Sequence, residues 1–225
     1  NNMMKAATVK GYGSNAKVIV GETRKPKPGK HDVVVQVRCS SVNPKDWKLN
    51  KKITTLVPDL GIRPYIIGDD LSGTVVETGS AVTDFKVGDE VYGMDMRLRT
   101  NACAEYARIA TRRIALKPGN ISHVEAGVTP LAALTALQGF KVANLASGQR
   151  ILIIGASGGV GTYAVQIAKA LGAEVTAVCS HRNVDLVSSL GADHIIDYTK
   201  EDFTGNDDNF DVIFDATSYE NAKTC

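Results

Sequence analysis

A glycine-rich run from Ile153 to Gly161 carries the clearest chemistry in the sequence. It reads Ile-Ile-Gly-Ala-Ser-Gly-Gly-Val-Gly and ends an apolar stretch typical of a buried strand. At a turn from strand to helix, glycines let a diphosphate approach the backbone N–H groups, and the helix adds the positive end of its dipole. A strict G-x-G-x-x-G motif would have glycine at position 156. We expect a bound dinucleotide to contact Ala156, Ser157, Gly158, Gly159 and Val160.

The end of the next predicted strand indicates which dinucleotide is bound. An NAD-binding protein holds the ribose 2′-hydroxyl there with Asp or Glu, whereas this chain has Cys179-Ser180-His181-Arg182-Asn183 and no acid before Asp185. Ser180 can donate a hydrogen bond to a 2′-phosphate, and Arg182 offers a planar, charged fork. The alternative is that Ser180 only caps the following helix and that Arg182 is solvated. The residue types favour NADPH over NADH.

The elements around this run alternate between strand and helix. From Ser122 to Phe140 the pattern is helical, and Ser122 with Glu125 forms a capping box. Strands and helices then alternate at the spacing of βαβ units, which predicts a parallel sheet and favours a dinucleotide over a bare glycine turn. The chain stops after the fourth predicted strand of this Rossmann-type sheet, so the sheet is incomplete and the chain is expected to belong to a longer or only partly observed protein.

The residues before Ser122 have a different pattern. Short β-prone runs alternate with turn signals such as Gly68-Asp69 and Gly88-Asp89, which favours a compact antiparallel barrel. Within Val33–Cys39, the period of two places Val35, Val37 and Cys39 on one face. The fold class is therefore α/β, with a β-rich domain over residues 1–122 followed by a dinucleotide-binding domain over residues 123–225.

Composition and charge exclude several classes of partner. The formal net charge is +2, too small to indicate nucleic acid as the main partner. No apolar stretch approaches the roughly 18 to 20 residues of a membrane span. The four cysteines are far apart, and the four histidines do not cluster with them, so we expect neither disulfides nor a metal site. This usage of cysteine is typical of a reducing compartment, and we expect a cytoplasmic protein.

Three ordered motifs carry a resemblance to a known family. They are Ser41-Val42-Asn43-Pro44-Lys45-Asp46-Trp47, Gly68-Asp69-Asp70-Leu71-Ser72-Gly73 and Phe85-Lys86-Val87-Gly88-Asp89. With them the chain resembles the medium-chain dehydrogenase/reductase superfamily, and within it the quinone oxidoreductase-like (zeta-crystallin-like) branch. The resemblance implies a GroES-like domain joined to a Rossmann domain, with the active site in the cleft.

The resemblance also implies that zinc is absent. The zinc-dependent branch would carry a Cys near Ser41, Gly-His-Glu at positions 68–70 and a four-cysteine lobe after Gly93. The cysteine nearest to Ser41 is Cys39, before the motif, and the Gly-His-Glu and the lobe are missing. Without a Lewis acid, reduction of an activated, conjugated double bond is favoured over reduction of a simple ketone.

Four more site residues follow from the resemblance. Asn43 is implied to lie beside the nicotinamide and is the expected catalytic residue; the alternative is that it only forms the turn before Pro44. Thr135 is implied as a further cofactor contact, Tyr198 as the tyrosine near the adenosine phosphate, and Thr217 as part of the same crevice.

The expected function is NADPH-dependent reduction of quinones or α,β-unsaturated carbonyls by hydride transfer. One alternative is an NADPH-binding protein with little turnover that acts as a structural or scaffolding partner. Another is an enoyl-thioester reductase, whose relatives carry a proton-donating Tyr between the first two motifs; here only Tyr65 stands in that stretch. The expected partners are a small-molecule substrate and, in the whole protein, a second copy of the chain in a homodimer.

Overall fold

The computed structural model describes residues 2–10, 17–46, 65–95, 101–203 and 209–217. The chain divides into two compact units, Asn1–Leu131 and Ala132–Cys225. The boundary expected from the sequence, after residue 122, comes earlier than this division. The first helix after it packs against strands of the first unit, which places that helix before the division. Among the described helices, none has the length and apolar character needed to cross a membrane.

The first unit contains two antiparallel sheets. Their strands are β1 (Met3–Lys10), β2 (Lys17–Arg24), β3 (Asp32–Ser40), β4 (Tyr65–Ile66), β5 (Asp70–Thr78), β6 (Glu90–Met94), β7 (Tyr106–Ala110) and β8 (Ile114–Leu116). One sheet has the order β2–β1–β4 and the other β7–β3–β5–β6–β8. Helix α1 (His123–Val128) packs on β3 and β5. The antiparallel pairing expected from the short runs and regular glycines is confirmed.

Strand β3 departs from the simple alternation expected of it. Val33, Val34 and Val35 are all fully buried, and the pairing with β5 shifts register between Val34 and Val35. The strand lies between β5 and β7 in the sheet, and the burial of Val34 beside Val33 and Val35 shows that both faces are covered in its first half. Arg38 is exposed, and the polar face expected from the sequence survives only in the second half.

The helical stretch expected from Ser122 to Phe140 is two helices rather than one. Helix α1 ends at Val128, and α2 spans Pro130–Ala143. Proline has no N–H to donate to the preceding turn, so the hydrogen-bonded ladder is interrupted at Pro130. The capping box is confirmed: the Glu125 N–H donates to Ser122 Oγ at 3.2 Å, and the Ser122 N–H donates to Glu125 Oε2 at 2.7 Å.

Replacing Ser122 with alanine should lower the free energy of unfolding by about 1 kcal/mol, because α1 loses its N-terminal cap. Val124→Ala on the same helix is the matched control, since Val124 is 64% exposed and should matter little. The backbone hydrogen bond with Ser122 lowers the pKa of Glu125. The cap is therefore strongest above the ordinary carboxylate range and should weaken as the pH falls through the lowered pKa. Urea unfolding of the two variants at two pH values tests this prediction. Equal losses in the free energy of unfolding for Ser122→Ala and Val124→Ala would contradict it.

The second unit contains one parallel sheet. Its strands are β9 (Arg150–Ile154), β10 (Glu174–Cys179), β11 (His194–Asp197) and β12 (Val212–Asp215), in the order β11–β10–β9–β12. Its helices are the main part of α2, α3 (Gly159–Ala170) and α4 (Val184–Ser189). Numbered within the sheet, this order is 3-2-1-4, as in the first half of a Rossmann fold. The predicted α/β fold class is confirmed.

Strand β9 is covered on both faces. Ile151 and Ile153 are fully buried in the cluster that α3 covers, and Leu152 and Ile154 pack in a second cluster on the other face. The continuous apolar run thus marks a central parallel strand. Packing on both sides fixes where β9 ends, and the glycine-rich run begins directly after it.

Candidate functional site

The turn after β9 depends on two glycines with different roles. Gly155 has φ of +76°, a left-handed conformation that favours glycine. Gly161 allows α3 to lie directly on the turn: a Cβ there would stand 2.1 Å from the Gly155 carbonyl oxygen and 2.7 Å from Ala156 Cα. The helix start is therefore held against the end of the central strand, as a dinucleotide-binding turn requires.

The N-terminus of α3 is open. Gly158 is the N-cap in an extended conformation and makes no side-chain cap. A Cβ built on Gly159 meets no atom within 4 Å. The first N–H groups of a helix have no intrahelical acceptor, so here they face space that an anion can enter.

The other predicted loop residues are not equally open. Ala156 is fully buried in the core, and its N–H donates to the Val178 carbonyl oxygen at 3.0 Å. Val160 packs against the same core. Ser157 is partly buried, while Gly158 and Gly159 are exposed. Ala156, which stands where the strict motif has glycine, is therefore on the core side of the turn.

Asn183 joins the turn to the end of β10. Its Nδ2 donates to Ser157 Oγ at 3.0 Å and to Ser180 Oγ at 3.1 Å. Ser180 precedes the 3-10 turn His181–Asn183 and makes no side-chain cap to it, contrary to the capping alternative. The sequence shows an Asn three residues after Ser180, but only the folded turn shows that it reaches Ser157, so Asn183 is a site residue that the sequence pattern does not predict.

Arg182 is exposed and, among the described residues, forms neither an ion pair nor a hydrogen bond. Tyr198 is 57% exposed, and its N–H donates to the Cys179 carbonyl oxygen at 3.2 Å. This bond brings Tyr198 to the same end of the sheet as Ser180. The structure therefore gathers Ser157, Ser180, Arg182 and Tyr198 around the carboxyl ends of β9, β10 and β11.

A buried carboxylate, Asp197, lies at this end of the sheet as well. The Thr199 hydroxyl donates to its Oδ1 at 2.6 Å and lowers the pKa of Asp197. His181 Nδ1 and Lys200 Nζ lie 3.4 and 3.6 Å from its Oδ2. The Lys200 ammonium therefore offsets part of the charge of Asp197, although Oδ2 accepts no hydrogen bond from the described residues.

Two further predicted contacts, Thr217 and Thr135, are both exposed. Thr217 follows β12, where its N–H and hydroxyl donate to Asp215 Oδ1 at 2.7 and 2.6 Å. A Cβ on Gly155 would meet Thr217 Cγ2 at 2.4 Å, so Thr217 lies directly beside the turn. Thr135 lies on α2, four residues before Gly139, which packs against the ring of Phe214. The structure brings Thr217 to the turn, and the role of Thr135 as a cofactor contact stays a prediction.

The predicted catalytic residue Asn43 belongs to a polar cluster in the first unit. Its Nδ2 donates to Asp70 Oδ2 and to Ser41 Oγ, each at 2.9 Å. The Ser41 hydroxyl also donates to Asp70 Oδ2, and the Leu131 N–H donates to Asp70 Oδ1 at 2.8 Å. Asp70 is fully buried, and burial raises its pKa above the usual range. Ser41 and Asp70 stand in two of the sequence motifs, but the sequence alone indicates no role for either of them.

The backbone of Asn43 also forms the turn that the alternative interpretation expected. Its carbonyl oxygen accepts from the Asp46 N–H at 2.9 Å, and its own N–H donates to Asp46 Oδ2 at 2.8 Å. The turn uses only the backbone of Asn43, so it leaves the side chain for a separate role. Both interpretations are compatible with this structure.

A buried ion pair lies next to this cluster. Lys45 Nζ is 2.5 Å from Asp69 Oδ2, and the Asp69 side chain is only 7% exposed. Burial raises the pKa of Asp69, while the ammonium group of Lys45 opposes that rise. In the described part of the chain, no three His, Cys, Asp or Glu side chains come together as metal ligands.

Two family models match the chain. The alcohol dehydrogenase GroES-like domain matches residues 29–129, and the zinc-binding dehydrogenase model matches residues 159–224. Together they cover parts of both units described above.

Individual proteins are similar over most of the chain. The 2-methylene-furan-3-one reductase of Solanum lycopersicum is 38% identical over 95% of this chain and 57% of its own length. The chloroplastic NADPH-dependent alkenal/one oxidoreductase of Arabidopsis thaliana is 37% identical over 85% of the chain and 51% of its own length. The structure of the quinone oxidoreductase from Coxiella burnetii matches with a TM-score of 0.82 and 31% identity, over 94% of this chain and 68% of that one. The chain thus spans little more than half of the curated relatives.

Proposed function

Because this chain belongs to the quinone oxidoreductase-like branch of the medium-chain dehydrogenase/reductase superfamily, we propose that the whole protein is an NADPH-dependent reductase of quinones or α,β-unsaturated carbonyls. The observation that carries the proposal is the open, glycine-lined start of α3 directly after the central strand. The names of the two plant relatives support the substrate class, a reactive enone or alkenal. A cytoplasmic location and a homodimer stay predictions.

NADPH fits the second unit residue by residue. The N–H groups at Gly159 and Val160 would hold the diphosphate, since no side chain caps them. Ser180 and Arg182 would hold the 2′-phosphate, because a serine hydroxyl can donate a hydrogen bond to it and an arginine can add a charge-assisted one. Bound NADPH supplies a hydride to the substrate. We propose that Asn43 contacts the nicotinamide and that the balancing proton comes from solvent or a weak acid.

Zinc does not fit the donor set of the first unit. Zinc in enzymes prefers thiolate, imidazole and carboxylate ligands with free lone pairs. The Ser41 hydroxyl instead donates to Asp70, both Asp70 oxygens accept hydrogen bonds, and Asp69 is paired with Lys45. We therefore propose that the reaction proceeds without zinc, although the matching family model carries a zinc-binding name.

The direct test uses the full-length protein and follows NADPH absorbance with three acceptor classes: quinones, enones with alkenals, and enoyl thioesters. We expect oxidation with one of the first two and much weaker oxidation with enoyl thioesters. Tight NADPH binding without oxidation by any acceptor would overturn the proposed reaction and favour the alternative of a binding protein.

Arg182→Ala should raise the KM for NADPH on the order of tenfold, because a charge-assisted hydrogen bond to the 2′-phosphate is lost. The KM for NADH should hardly change, since NADH has no phosphate there. Arg112→Ala is the matched control, as Arg112 is also exposed in a 3-10 turn. Steady-state kinetics with both cofactors give the result, and a parallel loss with NADPH and NADH would argue against this role for Arg182.

A further inference from the structure

We propose that Asp70 is a positioning residue that fixes the amide of Asn43, so that Asn43 presents its carbonyl oxygen to the carboxamide N–H of the nicotinamide. The inference rests on the proposed function, because it deepens the contact between Asn43 and the cofactor. It assigns a role to a buried acid that the proposed reaction does not otherwise use.

The orientation of the Asn43 amide follows from the chemistry of its neighbours. A carboxylate can only accept hydrogen bonds. The Asn43 side-chain atom 2.9 Å from Asp70 Oδ2 must therefore be the NH₂ nitrogen. Ser41 agrees with this assignment, since its hydroxyl donates its hydrogen to Asp70 and accepts from the same NH₂ group. With both N–H groups engaged, the Asn43 carbonyl oxygen points away from Asp70.

Burial separates the two roles. Asp70 is 0% exposed and can reach a ligand only through another residue. Asn43 is partly exposed, and its Oδ1 accepts no hydrogen bond from any described residue. The group presented outward is thus an acceptor, and it calls for a donor on the ligand. The nicotinamide carboxamide carries such a donor.

Asparagine at position 70 could not replace Asp70 in orienting the Asn43 amide. Asn at position 70 could still accept from the Leu131 N–H, but it would turn its own NH₂ group towards Asn43. Asn43 would then have to rotate its amide and present NH₂ outward, towards another NH₂. Burial raises the pKa of Asp70, while the hydrogen bonds from Ser41, Asn43 and the Leu131 N–H favour its carboxylate form and oppose that rise.

The test compares binding of NADPH with binding of its reduced 3-acetylpyridine analogue, whose methyl ketone has no N–H. We expect wild-type full-length protein to prefer NADPH. Asp70→Asn should lower the ratio of the two affinities on the order of tenfold, because the rotated amide repels the carboxamide and suits the ketone. A ratio is independent of the fraction of folded protein, so a purely structural role of Asp70 would leave it unchanged.

Two further variants complete the design. The exchange Asn43→Asp with Asp70→Asn keeps the net charge, lets the new amide donate to the new carboxylate and displays an acceptor again, so the ratio should recover. Asp69→Asn removes a neighbouring buried acid that does not contact Asn43 and should leave the ratio as in the wild type. An unchanged ratio in Asp70→Asn, or no recovery in the exchange variant, overturns the inference.

The inference and the proposed function can fail separately. If wild-type protein binds NADPH but reduces no acceptor, the proposed reaction is overturned. The affinity ratio still tests the positioning role of Asp70. Wild-type protein that binds neither cofactor overturns both. Turnover with an unaltered ratio in Asp70→Asn overturns only the role of Asp70.

Discussion

Replacing Gly161 with alanine should weaken NADPH binding by about a hundredfold and lower the stability of the second unit by roughly 1–3 kcal/mol or more. The new Cβ would lie 2.1 Å from the Gly155 carbonyl oxygen and 2.7 Å from Ala156 Cα and C. These are backbone atoms of a tight turn, so the helix must move off the strand end. The N–H groups that would hold the diphosphate move with it.

Gly159→Ala is the control for this variant, two residues earlier. Its Cβ meets no protein atom within 4 Å, and alanine favours helix, so the fold should be kept. The methyl group nevertheless enters the space proposed for the diphosphate, so NADPH binding should fall without a loss of stability. Calorimetry for binding and thermal unfolding for stability separate the two variants. A Gly161→Ala protein that is as stable as the wild type and binds NADPH equally well would refute this description of the turn.

Lys45→Ala should cost about 3 kcal/mol of stability at neutral pH, because it leaves the buried Asp69 carboxylate without its cation. Burial already raises the pKa of Asp69, and loss of Lys45 would raise that pKa further. A carboxyl with a raised folded-state pKa favours folding below its ordinary range and loses that contribution as the pH rises through the raised value. The deficit of Lys45→Ala should therefore shrink on acidification.

Two controls accompany this variant. Adding Asp69→Asn to Lys45→Ala removes the unpaired charge and should restore most of the stability at neutral pH. Lys25→Ala should cost much less: the Lys25 and Lys45 side chains are both 23% exposed, but Glu77, the partner of Lys25, is 43% exposed and keeps its hydration. Urea unfolding across the acidic range measures all three. A pH-independent deficit in Lys45→Ala would contradict the assigned cause.

The features that were predictable from the sequence are those encoded by neighbours along the chain. The apolar run before Gly155 gave the central strand, and Ser122 with Glu125 gave the helix start, because strand burial and capping depend on residues only a few positions apart. The sequence pattern missed the break at Pro130 because the residues on both sides of it share one helical period. The burial of Val34 was missed because alternation along a strand predicts one covered face, whereas both faces of β3 are covered at this point in the folded chain.

The candidate site divides in the same way. The glycine turn was predictable because the requirement for glycine is local: Gly155, for example, has a positive φ, a conformation that favours glycine. Asn183 and Asp70 were not, because their partners Ser157 and Asn43 are 26 and 27 residues away, and only the folded strands bring them together. The roles of Asn43, Arg182 and Thr135 stay predictions until the variants are measured.

The amide of Asn183 has a consequence for how such a protein can change over time. It joins the loop after β10 to the loop after β9 by two hydrogen bonds, while Arg182 in the same short turn is exposed. If Arg182 binds the 2′-phosphate as proposed, exchanging it could change the preference between NADPH and NADH without breaking the hydrogen bonds of Asn183. The residue proposed to select the coenzyme, Arg182, and the residue that joins the two loops, Asn183, could then change independently in evolution.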